Sequence, residues 1–152
     1  MGNNHIEEIQ ALIFSLQADI ITPKEYRDYV DVRFLEDPEC ELLMDLEFAA
    51  NDLAETKILV GEYMYKTKHC LNYELLGHFL GRQMEKLYRR NEVTLEVFAN
   101  RTYCLWNLLP GEIAEEQPLL ALCSAGDLLP YEGESRTRKR FEDIFSYEWK
   151  LA

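Results

Sequence analysis

Histidine is scarce in this chain: His5, His69 and His78 are the only three in 152 residues. None sits in an HExxH segment, and histidine is the usual proton shuttle near neutral pH. No GxSxG elbow and no glycine-rich phosphate loop occurs. The four cysteines, Cys40, Cys70, Cys104 and Cys123, lie 30, 34 and 19 residues apart. No CxxC pair presents two ligands on one turn, as zinc sites usually require. Glu74 and His78 stand four apart, a spacing equally suited to an ordinary surface pair. The expectation is a protein with no metal, no cofactor and reduced thiols, and not an enzyme. Carboxylate pairs are so numerous that none marks itself out as an acid and base. No stretch approaches 18 apolar residues, so no membrane span is expected. Met1 to Glu8 is polar and acidic rather than basic-then-apolar, which predicts a cytoplasmic protein.

What the chain does have is a core. Its hydrophobic fraction of 47% and aromatic fraction of 12% are those of a folded globular protein, and its length suits a single domain over residues 1–152. Helical spacing recurs throughout. A helix is predicted from Asn4 to Ala18, carrying Ile6, Ile9, Ile13 and Leu16. Thr22-Pro23-Lys24-Glu25 is a start signal with cap, first-turn proline and returning glutamate. Asp37-Pro38 reads as a second such start, leading into a helix that ends near Leu53. Asn72 and Thr94 read as caps of two further helices, Pro110-Gly111 as a stop, and Ile113 to Ala125 as another helix around Pro118. Asp127 to Glu134 reads as loop, and Ser135 to Trp149 as a last helix. Lys57 to Lys66 is a shorter helical candidate, with a hairpin over Ile58 to Tyr65 as its competitor. The sum is an all-α chain: a compact bundle of about six helices.

Two stretches look alike. Ile21-Thr22 with Tyr26 matches Val93-Thr94 with Phe98, seventy-two residues on. Each pairs an aliphatic residue before a Thr cap with an aromatic four residues after it. Ala49-Ala50-Asn51-Asp52-Leu53 similarly faces Ser124-Ala125-Gly126-Asp127-Leu128. The pattern suggests a duplicated three-helix unit, over residues 6–55 and 74–130.

The net charge is −12, which disfavours direct nucleic-acid binding and steers basic partners inward. The excess is local. Residues 1–56 hold 14 acidic and three basic side chains, residues 57–111 five and eight, and residues 112–152 nine and five. Between Arg33 and Lys57 lie Glu36, Asp37, Glu39, Glu41, Asp45, Glu47, Asp52 and Glu55, with no Lys or Arg. Asp28 and Asp31 extend this run onto the preceding helix. Like charges at helical spacing cost stability, so a basic partner surface is the plainest reason to keep them. A smaller acidic stretch runs through Glu112, Glu115, Glu116, Asp127, Glu132 and Glu134. The basic runs Arg82-Lys86-Arg89-Arg90 and Arg136-Arg138-Lys139-Arg140 read as internal pairing partners for the acidic helices.

The run LIFSLQADIITPKEYRDYVDVRFLED, followed by an acidic helix ending EFAANDL, resembles the colicin-D-type immunity family in layout: a short helix, an Ile/Thr-led helix bearing aromatics, then an acidic helix. That resemblance implies a toxin-immunity protein that plugs the basic groove of a nuclease toxin. It implies that Asp28, Asp31, Glu36, Asp37, Glu39, Glu41 and Asp45 form the partner-binding face, with Tyr26 and Tyr29 as candidate anchors unless the core claims them. Three other readings compete: a nucleic-acid-mimic inhibitor of another defence nuclease, a small hydrolase-type enzyme, and a scaffold with a solvated acidic face.

Overall fold

A computed structural model describes residues 5–49, 51–114 and 119–148. Its described residues contain helices and no strand: α1 (His5–Gln17), α2 (Pro23–Glu36), α3 (Glu41–Phe48), α4 (Leu53–Thr67), α5 (Tyr73–Arg90), α6 (Leu95–Leu108), α7 (Gly111–Ala114), α8 (Leu119–Ser124), α9 (Leu129–Glu132) and α10 (Glu134–Glu148). The expected count of about six is thus replaced by ten. Six of the ten run to 13 residues or more; of the shorter four, α7, α8 and α9 cluster where proline and small residues interrupt the periodicity.

α1 sits at the centre and packs against α2, α4, α5 and α6. Ile6, Glu7, Ile9, Ala11, Leu12, Ile13 and Ser15 are all buried. A helix buried on most sides belongs to the interior. Its buried carboxylate needs a partner, and the loop after α4 supplies one: His69 Nε2 lies 2.7 Å from Glu7 Oε2.

The start signals are realised in detail. Thr22 accepts from the Glu25 amide at 3.1 Å and the Glu25 carboxylate accepts from the Thr22 amide at 3.2 Å, a complete capping box. Asp52, Asn72 and Thr94 cap α4, α5 and α6 with the side-chain half of that pattern, each accepting from the amide three residues on. Asp37-Pro38 behaves differently from the prediction. Asp37 closes α2, its amide donating to the Arg33 carbonyl at 3.0 Å, and α3 starts only at Glu41, after Cys40. α3 also ends at Phe48, because Asp52 opens α4 and draws Leu53 into it. Residues Ile58 to Tyr65 are helical throughout, and no hairpin forms. α9 occupies part of the expected Asp127–Glu134 loop. Pro118 and Trp149 lie outside the described residues.

A spacing of seventy-two recurs. α2 and α6 each have 14 residues and start seventy-two apart. The residues closing the preceding helices, Asp19 (φ 59°) and Asn91 (φ 56°), both adopt the left-handed conformation that Asp and Asn tolerate. Tyr26 and Phe98 are both buried, as are Val30 and Thr102. α4 and α10 have 15 residues each, and each buries a threonine at its fourth position. Thr56 Oγ1 donates to the Asp52 carbonyl at 2.8 Å, and Thr137 Oγ1 to the Gly133 carbonyl at 3.0 Å.

Candidate acidic docking face

α2 and α3 pack together. α2 turns Tyr26 and Val30 inward, and α3 turns Leu42, Leu43 and Leu46 inward. Helical geometry then sends the complementary stripes out. On α2 this stripe is Asp28, Asp31, Val32 and Leu35; on α3 it is Glu41, Met44, Asp45 and Phe48. Both follow the same spacing of i, i+3, i+4 and i+7. Each pairs two carboxylates with two exposed apolar side chains, and Leu35 and Phe48 are 77% and 87% exposed.

The two stripes lie on one packed helix pair, across which Asp31 faces Glu47. Burial, and then the Asp31 charge, push the Glu47 carboxyl up to about 7. Glu47 belongs to the acidic run but not to the seven expected face residues. Its contact with Asp31 depends on how α3 docks on α2.

The seven residues expected here divide into two groups. Asp31, Glu39, Glu41 and Asp45 have no Lys, Arg or His within salt-bridge distance among the described residues. Glu41 lies in the first turn of α3, where the helix dipole favours it. The other three have local work. Asp28 pairs with Lys24 at 2.7 Å, Glu36 pairs with Arg33 at 2.9 Å, and Asp37 closes α2.

The expected aromatic anchors are not free to bind. Tyr26 is 2% exposed, and burial holds its hydroxyl up at about 12. Tyr29 donates to Glu8 and lies under Arg33, whose guanidinium carbon is 5.0 Å from the ring centroid. Arg33 also donates to Glu8 at 3.1 Å. This cluster fixes α2 on α1. Trp106 is half-buried and donates to the Ala114 carbonyl at 2.7 Å. The exposed apolar residues are instead Val32, Leu35, Met44 and Phe48. The signal that locates them is the helical stripe opposite Tyr26 and Val30 and opposite Leu43 and Leu46.

The basic runs are largely consumed, but not by this face. Arg89 pairs with Glu85 and Glu142, and Arg90 with Glu25. Arg138, Lys139 and Arg140 pair with Glu134, Asp143 and Glu132. The second acidic stretch is thereby partly neutralised, while Glu115 and Glu116 lie outside the described residues. Two larger shallow clefts, and a third of about 390 Å³ beside Arg89 and Arg138, accompany these pairs. One, of about 730 Å³, is lined by Arg82, Glu85, Lys86, Arg89 and Arg90. The other, of about 540 Å³, lies between the start of α6 and α10. Neither is lined by a histidine or a cysteine. Cys123 is buried, with its thiol pushed up to about 12 by that burial. Among the described residues no three His, Cys, Asp or Glu side chains gather as a metal site would need, and no helix is long and apolar enough to cross a membrane. No protein-family model, curated protein or solved structure matches this chain.

Proposed function

We propose that this chain is a non-catalytic immunity or inhibitor protein, which neutralises a cognate toxin by holding the toxin's basic domain, a nuclease, against the α2–α3 face. The observation that carries this reading is the pair of matched stripes, each of which sets two carboxylates beside two exposed apolar side chains, with Asp31, Glu41 and Asp45 having no cationic partner among the described residues. Fixed carboxylates speed the approach of a basic surface and form charge-assisted bonds to its Arg and Lys side chains. Leu35 and Phe48, with Val32 and Met44, supply what charge alone lacks: apolar groups that a partner can desolvate and that slow its departure. The same residues favour an interface with apolar anchors over simple mimicry of a phosphate chain, which needs carboxylates only. The mechanism is competitive and physical: carboxylates occupy the place of substrate phosphates and no bond is made or broken. The four cysteines are free thiols, in keeping with action in the reducing cytoplasm.

The frame belongs to the same proposal. Residues 5–67 and 73–148 are read as two copies of one helical unit, supported by the recurring spacing, caps, left-handed residues and buried threonines. Only the first copy carries the charged face.

The test is inhibition of a basic nuclease domain recovered with the protein from its native host. Inhibition is expected at one-to-one stoichiometry. The variant E39K/E41K/D45K is expected to keep the fold, since none of these three carboxylates has an ion-pair partner on another element among the described residues, and to lose more than roughly a hundredfold in affinity. Full inhibition by that variant overturns the assignment of the face.

A further inference from the structure

α4 packs on α1 and α3 through Thr56 and Val60, which are buried, with Tyr63 and Met64 half-buried beside them. No described residue covers its opposite side. Ala54, Ile58, Gly61 and Tyr65 are all exposed, Ile58 by 54% and Tyr65 by 87%. Their steps of four, three and four residues are those of a two-helix seam.

Gly61 is a second oddity. A glycine in mid-helix weakens the helix, and the fold has no need of it: a methyl placed there would meet nothing within 4 Å. A small residue that the chain's own packing does not require is explained by close approach from outside. The shared frame does not demand an apolar face here either. The corresponding positions on α10, eighty-one residues on, are Ser135, Lys139, Glu142 and Ser146.

The flanks indicate what approaches. Lys57 and Glu62 border the seam, both are exposed, and neither has an ion-pair partner among the described residues. They stand five residues apart. In a parallel two-stranded seam that spacing sets each lysine opposite the glutamate of the neighbouring helix. A surface that is complementary to itself about a two-fold axis suits a second copy of the same chain. A chain of net charge −12 repels its copies at most other faces, whereas this seam is apolar and α4 balances the exposed Glu55 and Glu62 with Lys57 and Lys66.

We infer that α4 is the contact of a parallel two-fold dimer of this protein, with the two α4 helices closest at Gly61 and each Lys57 facing Glu62 of the second copy. This inference does not depend on the proposed function, whose face lies on α2 and α3.

Sedimentation equilibrium of the full chain tests it. The mass of 17.9 kDa is expected to double as concentration rises. I58K and G61L are each expected to hold the protein at monomer mass with unchanged circular dichroism. G61L also raises the unfolding temperature of that monomer, because leucine is the better helix former and has open space. K57E alone weakens the dimer roughly tenfold, since two exposed pairs are lost together, and K57E/E62K restores it. Monomer mass at every concentration, or a dimer that I58K and G61L leave intact, overturns the inference. A dimer that K57E/E62K fails to restore overturns the parallel pairing.

Discussion

Read as the two copies proposed above, the two halves of this molecule fill one helical frame with different chemistry. In the second half the space between α5, α6 and α10 is aromatic. Tyr88, Phe98, Phe141 and Phe145 meet there, with ring centroids 5.3 Å apart for Tyr88–Phe98 and 5.0 Å for Phe98–Phe141. At the corresponding positions the first half places Leu16, Tyr26, Val60 and Met64. On the outside the contrast reverses. α2 shows Asp28, Asp31, Val32 and Leu35, where α6 shows Asn100, Tyr103, Cys104 and Asn107. One half concentrates its distinctive residues in the core and the other on the surface. A helix frame is set by caps, left-handed closures and a few inward positions, which leaves each outward stripe free to change.

The sharpest way to break the comparison is in the core. Phe141 is fully buried among three other aromatic rings, so Phe141→Ala should cost about 3–5 kcal/mol through lost transfer and a cavity. Val60 in α4 is also buried but far smaller, and Val60→Ala should cost about 2 kcal/mol. Urea midpoints of the two variants read the difference directly. Equal losses would mean that the aromatic cluster anchors α10 no better than an aliphatic contact anchors α4.

Much of this frame was legible in the sequence because it rests on local rules. Thr22, Asn72 and Thr94 declare helix starts by residue type alone, and the inward stripe of α5, Leu76, Leu80, Met84 and Leu87, follows from spacing. What was not legible depends on docking. Asp37-Pro38 carries the same local signal as Thr22-Pro23, yet Asp37 closes a helix. Asp52 then sets the α3–α4 break by capping α4. The acidic face followed from charge density, and its apolar members followed only once the inward side of α2 and α3 was known. The Asp31–Glu47 contact needed the two helices side by side, since sixteen residues of sequence separate its partners.

A second difference lies at the centre. α1 buries Glu7 against His69, where α5 places Phe79 seventy-two residues on. His69→Ala would leave the Glu7 carboxylate buried without that partner, at a cost of about 2–3 kcal/mol. Glu7→Gln in the same background should recover part of the loss, because an amide is cheaper to bury than a carboxylate. Thermal unfolding of the single and double variants separates this pair from simple loop loosening, which Glu7→Gln would not relieve.

The smallest effect tests the seam of the acidic face itself. With Leu43 and Leu46 set on Leu119 and Leu122, Glu47 falls on Cys123, and Asp31 falls on Tyr103. The first half therefore sets two carboxylates against each other between α2 and α3, where the second half sets none at the matching positions. Burial and the Asp31 charge hold the Glu47 carboxyl at about 7, above its ordinary 4.5. Below about pH 4.5 the group is protonated in both folded and unfolded chains, and no penalty exists. Between there and about pH 7 the unfolded chain releases the proton that the folded chain retains, so stability falls as pH rises. Above that range the penalty is complete. It amounts to about 1 kcal/mol, because a side chain partly in water is screened. Glu47→Gln imitates the protonated state at every pH. It should match the parent near pH 4.5 and exceed its stability by about 1 kcal/mol near pH 8, read as a shift in urea midpoint. An equal shift at both pH values would mean that packing of the amide, and not the carboxylate pair, sets the difference. A cationic partner that satisfies Asp31 and Glu47 together would remove the same penalty, so its binding should release a proton below about pH 7.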